Sequence, residues 1–233
     1  MRDFTRILIE REAEITAHLS LVARLEAAAT GRGTGLNTLI ETEPVNILKS
    51  GYLVHLYNVV EAVMTKIIEE VSVAAQTHPP KTWSDGLLRE WSRGRVNMKR
   101  DIEINKLEDR VFNLLIETAD RAAVTRFPIG KESGNWADSE ISGLAAKLGC
   151  QLTIPEQIQQ AACATPFSDG MAPMKFLRHK RNMLAHGNES FADSVSSFST
   201  ARLEELKRPA FDYMKAVTSS FDQYLDEELF LVS

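Results

Sequence analysis

The side chains best suited to chemistry lie in one basic stretch, Met174–Asn188, read MKFLRHKRNMLAHGN. It closes on Arg181-Asn182-Met183-Leu184-Ala185-His186, which supplies a guanidinium fork for an anion and an imidazole able to take or give a proton. Gly187 follows directly, and a helix is expected to stop there, because glycine enters the left-handed C′ conformation without a side-chain clash. His186 then stands in the last turn. The negative end of the helix dipole favours its charged form there, while the neighbouring cations oppose it. Proton exchange near neutral pH is the chemistry expected of it. Five residues separate Arg181 from His186, so an ideal helix turns them to different flanks. A site that uses both needs an unwound last turn or a second subunit to supply the missing half.

Phe176, Leu177, Met183, Leu184 and Ala185 are expected to form the buried stripe of this helix, with Lys175, Arg178, Lys180 and Arg181 on its other faces. Around it the sequence predicts further helices. Phe4 to about Ala29 is amphipathic, with Ile7, Leu8, Ile15, Leu19, Val22 and Leu25 at helical spacing, and the GRGTG run at Gly31–Gly35 ends it as a loop. About Pro44 to Gln76 forms a long second helix, apolar on several sides and therefore central. His55, Asn58, Glu61 and Thr65 make a polar line along it, read either as a solvent-exposed edge or as a second wall of a polar site. About Thr200–Leu229 forms the last long helix. The fold class expected is all-α: a bundle of long antiparallel helices forming one domain over 1–233, with a mainly helical insertion at 80–168 between the second and third bundle helices.

Within that insertion, residues 85–100 gather Arg89, Trp91, Arg93, Arg95, Lys99 and Arg100. They read as a solvated basic surface around one anchoring tryptophan, or as a strip on which a base could stack. Asp101 to about Ala122 is expected to be helical with Leu107, Val111, Leu114 and Leu115 on one side, and Val124–Ile129 to be extended. Ala137–Leu148 and Ile154–Ala162, the second with a Thr153/Glu156 capping box, outline a helix-turn-helix over 137–162. Its second helix offers glutamines and Glu156 but no cation, although phosphate attraction normally dominates binding to DNA.

Composition narrows the function classes. A length of 233 residues with 44% hydrophobic content can bury a real core, and a net charge of −5 argues against non-specific coating of nucleic acid. Local clusters can still bind phosphate. The first residues carry acidic groups where an export signal needs an apolar run, and Tyr52–Val71 is interrupted by polar side chains, so a cytoplasmic protein without membrane association is expected. Cys150 and Cys163 lack metal-ligand spacing and read as reduced thiols. The five histidines form no HExxH pattern, no GxSxG elbow nominates a serine, and the glycine-rich run is not followed by GK[ST]. No metal or cofactor is expected, and Arg181 with His186 remains.

The string RNMLAHGN resembles the Rx4-6H motif, in its RNxxxH form, of the HEPN superfamily of helical domains. ILKSGYLVHLYNVVEAV resembles the second helix of the MAE-like branch of HEPN nucleases, and GNWADSEISGLAAKLG resembles the insert of that branch. The resemblance covers most of the chain, with residues 80–125 least secure. It implies a HEPN-type bundle and a metal-independent endoribonuclease, the toxin of a toxin-antitoxin or phage-defence system, with RNA as substrate and an antitoxin protein as partner. It also implies a homodimer whose paired motif helices make a composite site. Carried over by position, Arg181 and His186 are catalytic and Asn182 orients or caps the site. Some HEPN toxins have a modifiable tyrosine two residues after the histidine; Asn188 stands there in this chain.

RNA carries its own nucleophile in the 2′-hydroxyl, so such a protein need supply only proton transfer and charge stabilisation. His186 is expected to exchange the protons, Arg181 to hold the phosphate, Arg178 and Lys180 to steer the backbone, and Asn58 and Glu61 to form a second wall. The alternatives are a non-catalytic HEPN module binding nucleotides, RNA or a protein, and a DNA-binding regulator using residues 137–162.

Overall fold

Apolar residues at helical spacing become helices wherever the structure is described, which is over residues 1–31, 41–96, 104–119 and 135–232 of a computed structural model. The chain is all-α. Helix α1 spans Asp3–Ala29, α2 Thr42–Gln76, α3 Asp85–Val96, α4 Ile104–Ala119, α5 Asp138–Leu148, α6 Glu156–Gln159, α7 Pro173–Ala185 and α8 Thr200–Asp226. The expected GRGTG loop beyond Gly31, the extended segment 124–129, and Lys99 and Arg100 lie outside the described residues.

Helix α2 is the axis of the bundle. Leu53, Tyr57, Val63, Met64 and Ile67 on its successive faces are wholly buried against α1, α7 and α8. Polar clamps at the helix ends set the directions. At the end of α1, Glu26 takes Lys49 Nζ, near the start of α2, at 2.7 Å, and the Thr200 amide, at the start of α8, at 3.0 Å. Burial opposes the Glu26 charge, but Lys49 and Thr200 outweigh it and hold the carboxyl below its usual range. At the other end, Arg2 reaches Glu70 and Asp222. Helix α1 is therefore antiparallel to both α2 and α8, and these two run the same way.

The segment after α2 is stitched into the same core. Trp83 Nε1 donates to the Ala75 carbonyl, and the Trp83 ring meets Trp91 edge to face at 5.3 Å between centroids. Trp91 is fully buried, so it stacks on protein and offers no platform to a base. Arg93 and Arg95 on the same helix pair with Glu90 and Glu117. On α4, Leu114 packs on the core and Leu107 is half-buried, but Val111 and Leu115 of the expected row are exposed, Leu115 by 61%. The expected inward row is thus split, because Arg110 and Glu117 occupy the inner flank through bonds to the Val96 carbonyl and Arg95.

The expected Thr153/Glu156 capping box does not form. Thr153 donates its amide to Ser220 Oγ of α8 at 2.9 Å, and Pro155 stands at the N-cap of α6. Helix α6 is one turn, continued by a π turn over Gln160–Ala164 that packs on α7 and α8. This single turn, with no cation on it, gives the helix-turn-helix reading no support. Cys150 and Cys163 are free, and burial pushes both thiols up to about 12.

Helices α3 and α5 approach closely at Gly86, where a Cβ would sit 3.0 Å from the Gly149 nitrogen and 3.0 Å from the Lys147 carbonyl oxygen. Backbone cannot yield there as a side chain can. Gly86→Ala is expected to cost about 1–3 kcal/mol in urea unfolding, as overpacking generally does.

On the far side of α2, His55 turns away from α7 and meets His18 of α1, Nδ1 to Nδ1 at 3.2 Å, with Glu14 3.6 Å from its Nε2. One imidazole must donate and the other accept, so the bond fails if both are charged. Burial first, then the His55 charge, lower the His18 pKa. The unfolded chain, with an ordinary value of about 6.5, takes up this proton more readily than the folded one. Stability is therefore expected to fall as pH drops from 7 towards 5, above the range where the carboxylates titrate. His18→Gln should flatten that slope in thermal melts.

Candidate active site

Helix α7 begins with Pro173 in its first position, where the missing N–H is no loss. Met174, Phe176, Leu177 and Leu184 are buried, and Phe176 packs among Phe167 and Phe198. Met183 is half-buried and Ala185 exposed, so the expected inner stripe narrows to Leu184 alone in the last turn. Lys180 takes the vacant inner position. The helix then stops as expected: Gly187 has φ +70°, its amide donates to Leu184, and the Asn188 amide donates to Met183. This six-to-one and five-to-two pair satisfies the last carbonyls and fixes the turn. His186 is the C-cap, at φ −92° and ψ 2°, and its side chain is exposed.

Arg181 faces the opposite way, into the groove between α7 and α2. Its Nη2 lies 2.9 Å from Glu61 Oε2, and its guanidinium carbon stands 4.4 Å over the centre of the Tyr57 ring. Only 16% of the side chain is exposed. Nη1 also donates to Asn182 Oδ1 at 3.0 Å, and Asn182 Nδ2 donates to Asn135 Oδ1 at 2.9 Å. A carboxylate, an aromatic face and an amide thus hold the guanidinium in one orientation. The chain brings Glu61, Arg181 and Asn182 together, while the phase of the helix turns His186 away from Arg181 and leaves it on the Asn182 side.

A family model described as MAE_28990-like HEPN matches residues 4–230. The chain belongs to the HEPN superfamily, in its MAE-like branch. No curated protein and no solved structure matches it. Membership points to a nuclease-like or RNA-binding module. Among the described residues of this HEPN chain, no three His, Cys, Asp or Glu side chains are grouped to hold a metal ion. Nor is any described helix long and apolar enough to cross a membrane.

The remaining expected site residues divide. Arg178 stays at the edge of the site, its Nη1 2.6 Å from Glu140 Oε1. Lys180 leaves it: the side chain is buried, with Nζ 2.9 Å from both oxygens of Glu189 and 3.3 Å from the Ser194 carbonyl. Burial opposes the Glu189 charge, but Ser194 and Lys180 overcome it and keep the carboxyl ionised. Lys180 therefore straps the segment after α7 onto the helix and does not steer a substrate. Asn58 is exposed and its side chain makes no hydrogen bond among the described residues, whereas Glu61 is drawn to the motif. The polar line of α2 is thus divided between two sides of the molecule.

Tyr57, Asn135 and Glu140 are functional neighbours that sequence reading missed. Tyr57 was legible as the residue four before Glu61, which puts both on one face of α2. Asn135 and Glu140 carried no such signal, because they reach α7 only through tertiary packing.

Removing Lys180 leaves the Glu189 carboxylate without its cation in a half-buried place. Lys180→Met is expected to lose about 1–3 kcal/mol in denaturant titration. Adding Glu189→Gln to it should cost less than the sum of the two single changes.

Proposed function

We propose that this HEPN chain is a metal-independent endoribonuclease of a toxin-antitoxin or phage-defence system, with a site completed by a second copy. The division of the motif carries the reading. Arg181 is held in a groove by Glu61 and Tyr57, whereas His186 stands exposed on a fixed turn of the same helix. A twofold meeting of two α7 ends supplies what one helix cannot, two imidazoles flanked by two guanidiniums.

In that assembly one His186 takes the proton of the 2′-hydroxyl as its oxygen attacks the adjacent phosphorus. The His186 of the second copy gives a proton to the leaving 5′-oxygen as the P–O5′ bond breaks. The products are a 2′,3′-cyclic phosphate and a 5′-hydroxyl. Arg181 stabilises the charge growing on the phosphoryl oxygens. Asn182 and Glu61 are positioning residues that keep the guanidinium forked towards the site, and Arg178 lies where the strand would run on. A non-catalytic RNA-binding module is the second reading, favoured by the Arg181–Glu61 pair, which already engages the guanidinium.

Cleavage of single-stranded RNA is expected to persist in EDTA and to spare an all-deoxy oligonucleotide. His186→Ala should lower the rate by about 10²–10⁴-fold, the usual contribution of a proton-transfer group, and Arg181→Ala by about 10²–10³-fold, that of a donor to a developing oxyanion. Strong metal dependence, or equal cutting of DNA, would contradict the mechanism. Arrest of host growth by the unaltered chain, but not by His186→Ala, separates catalysis from binding alone.

A further inference from the structure

Beyond the RNxxxH residues, the exposed side of α7 carries a row of polar side chains. Lys175, Arg178, His179, Asn182 and His186 recur at spacings of three and four, which places them on one face. Beside that face lies a polar basin of about 580 Å³, bounded by Asn135, Glu140, Lys175, Arg178, His179 and Asn182. That volume suits a ligand the size of a nucleotide.

The charges around the basin are unequally engaged. Glu140 accepts from the Ala137 amide at 3.1 Å, from Ser139 Oγ at 2.9 Å and from Arg178, so the Arg178 charge is largely answered within the chain. Lys175 and His179 are exposed, and among the described residues no salt bridge or hydrogen bond holds either, although His179 stands near enough to Glu189 to favour that carboxylate's charge. They are the groups available to an incoming anion. At about 1.5 Å of rise per residue, His179 lies about 10 Å and Lys175 roughly 16 Å along the helix from His186. Those separations are too long for the scissile phosphate and suit its neighbours on the strand. Asn182 joins the two regions, since it bonds Arg181 on one side and Asn135 at the rim of the basin on the other.

Resting on the ribonuclease reading, we infer that this basin is a subsite for the nucleotide next to the scissile linkage, with Lys175 and His179 taking its phosphate. The strand then lies along α7, from the helix end at His186 back towards the helix start. The two residues bind substrate and leave the chemical step to others.

The test uses the full chain with His186→Ala and a labelled 2′-O-methyl oligonucleotide, which cannot be cut, read by fluorescence anisotropy over a range of salt. Adding Lys175→Ala with His179→Ala should weaken binding several-fold. It should also reduce the slope of log K against log salt by about 0.7 for each phosphate that the protein no longer neutralises. Lys175→Arg with His179→Lys should keep both quantities, and Arg24→Ala, which removes a positive charge from α1, should change neither. In the cleaving chain the double alanine variant should raise KM and leave kcat unchanged, and a dinucleotide substrate should erase the difference. Unchanged affinity, slope and KM would overturn the subsite while cleavage still stood, as would a chain that binds no oligonucleotide. A chain that binds in this way but never cuts would overturn the ribonuclease and leave the subsite.

Discussion

Helical phase governs this molecule. At about 100° per residue, side chains five apart diverge by about 140°, and nothing in an intact helix can bring them to one point. The fold accepts that geometry. It buries one member of the motif in a groove with a carboxylate and an aromatic ring, and leaves the other at the rim. Glu61 and Tyr57 can do this only because α2 passes α7 at the right height, and α2 is held there by Glu26 at one end and by Arg2, through Glu70, at the other. The carboxylate at the end of α1 therefore bears on the aim of a guanidinium in another helix.

The long helices were legible in the sequence because burial imposes a period. Leu8, Ile15 and Val22 could only be the inner row of α1, and the many-sided apolar pattern of α2 required a central place. The stop at Gly187 was legible too, since few other residues take its backbone angle at no cost. Lys180 was not. Its charge argued for a surface, and its burial depends on Glu189 and the Ser194 carbonyl, brought round by a turn whose path no local pattern states. Trp91 was legible as an anchor among arginines, but its partner Trp83 was not, because no local pattern states which ring it meets.

The site itself was half legible. Arg181, Asn182 and His186 stand out as a string, and Glu61 could be suspected from its place on α2. Their relations could not be read, because whether Glu61 meets Arg181 or solvent depends on the rotation of α2 against α7. Asn135, Glu140 and the basin they border depend on how α5 is set against α7. That setting is fixed by bonds spread through the chain, such as the Trp136 amide on the Tyr57 hydroxyl and the Tyr224 hydroxyl on the Leu148 carbonyl.

The turn after α7 has one more implication. Closed by the Asn188 and Gly187 amides and strapped down by Lys180 and Glu189, it presents the imidazole on backbone whose conformational freedom was spent when the chain folded. Whatever settles against that surface has little left to order beyond side chains and its own tumbling. Recognition at this corner of the molecule is therefore closer to the docking of two solids than to the winding of a thread.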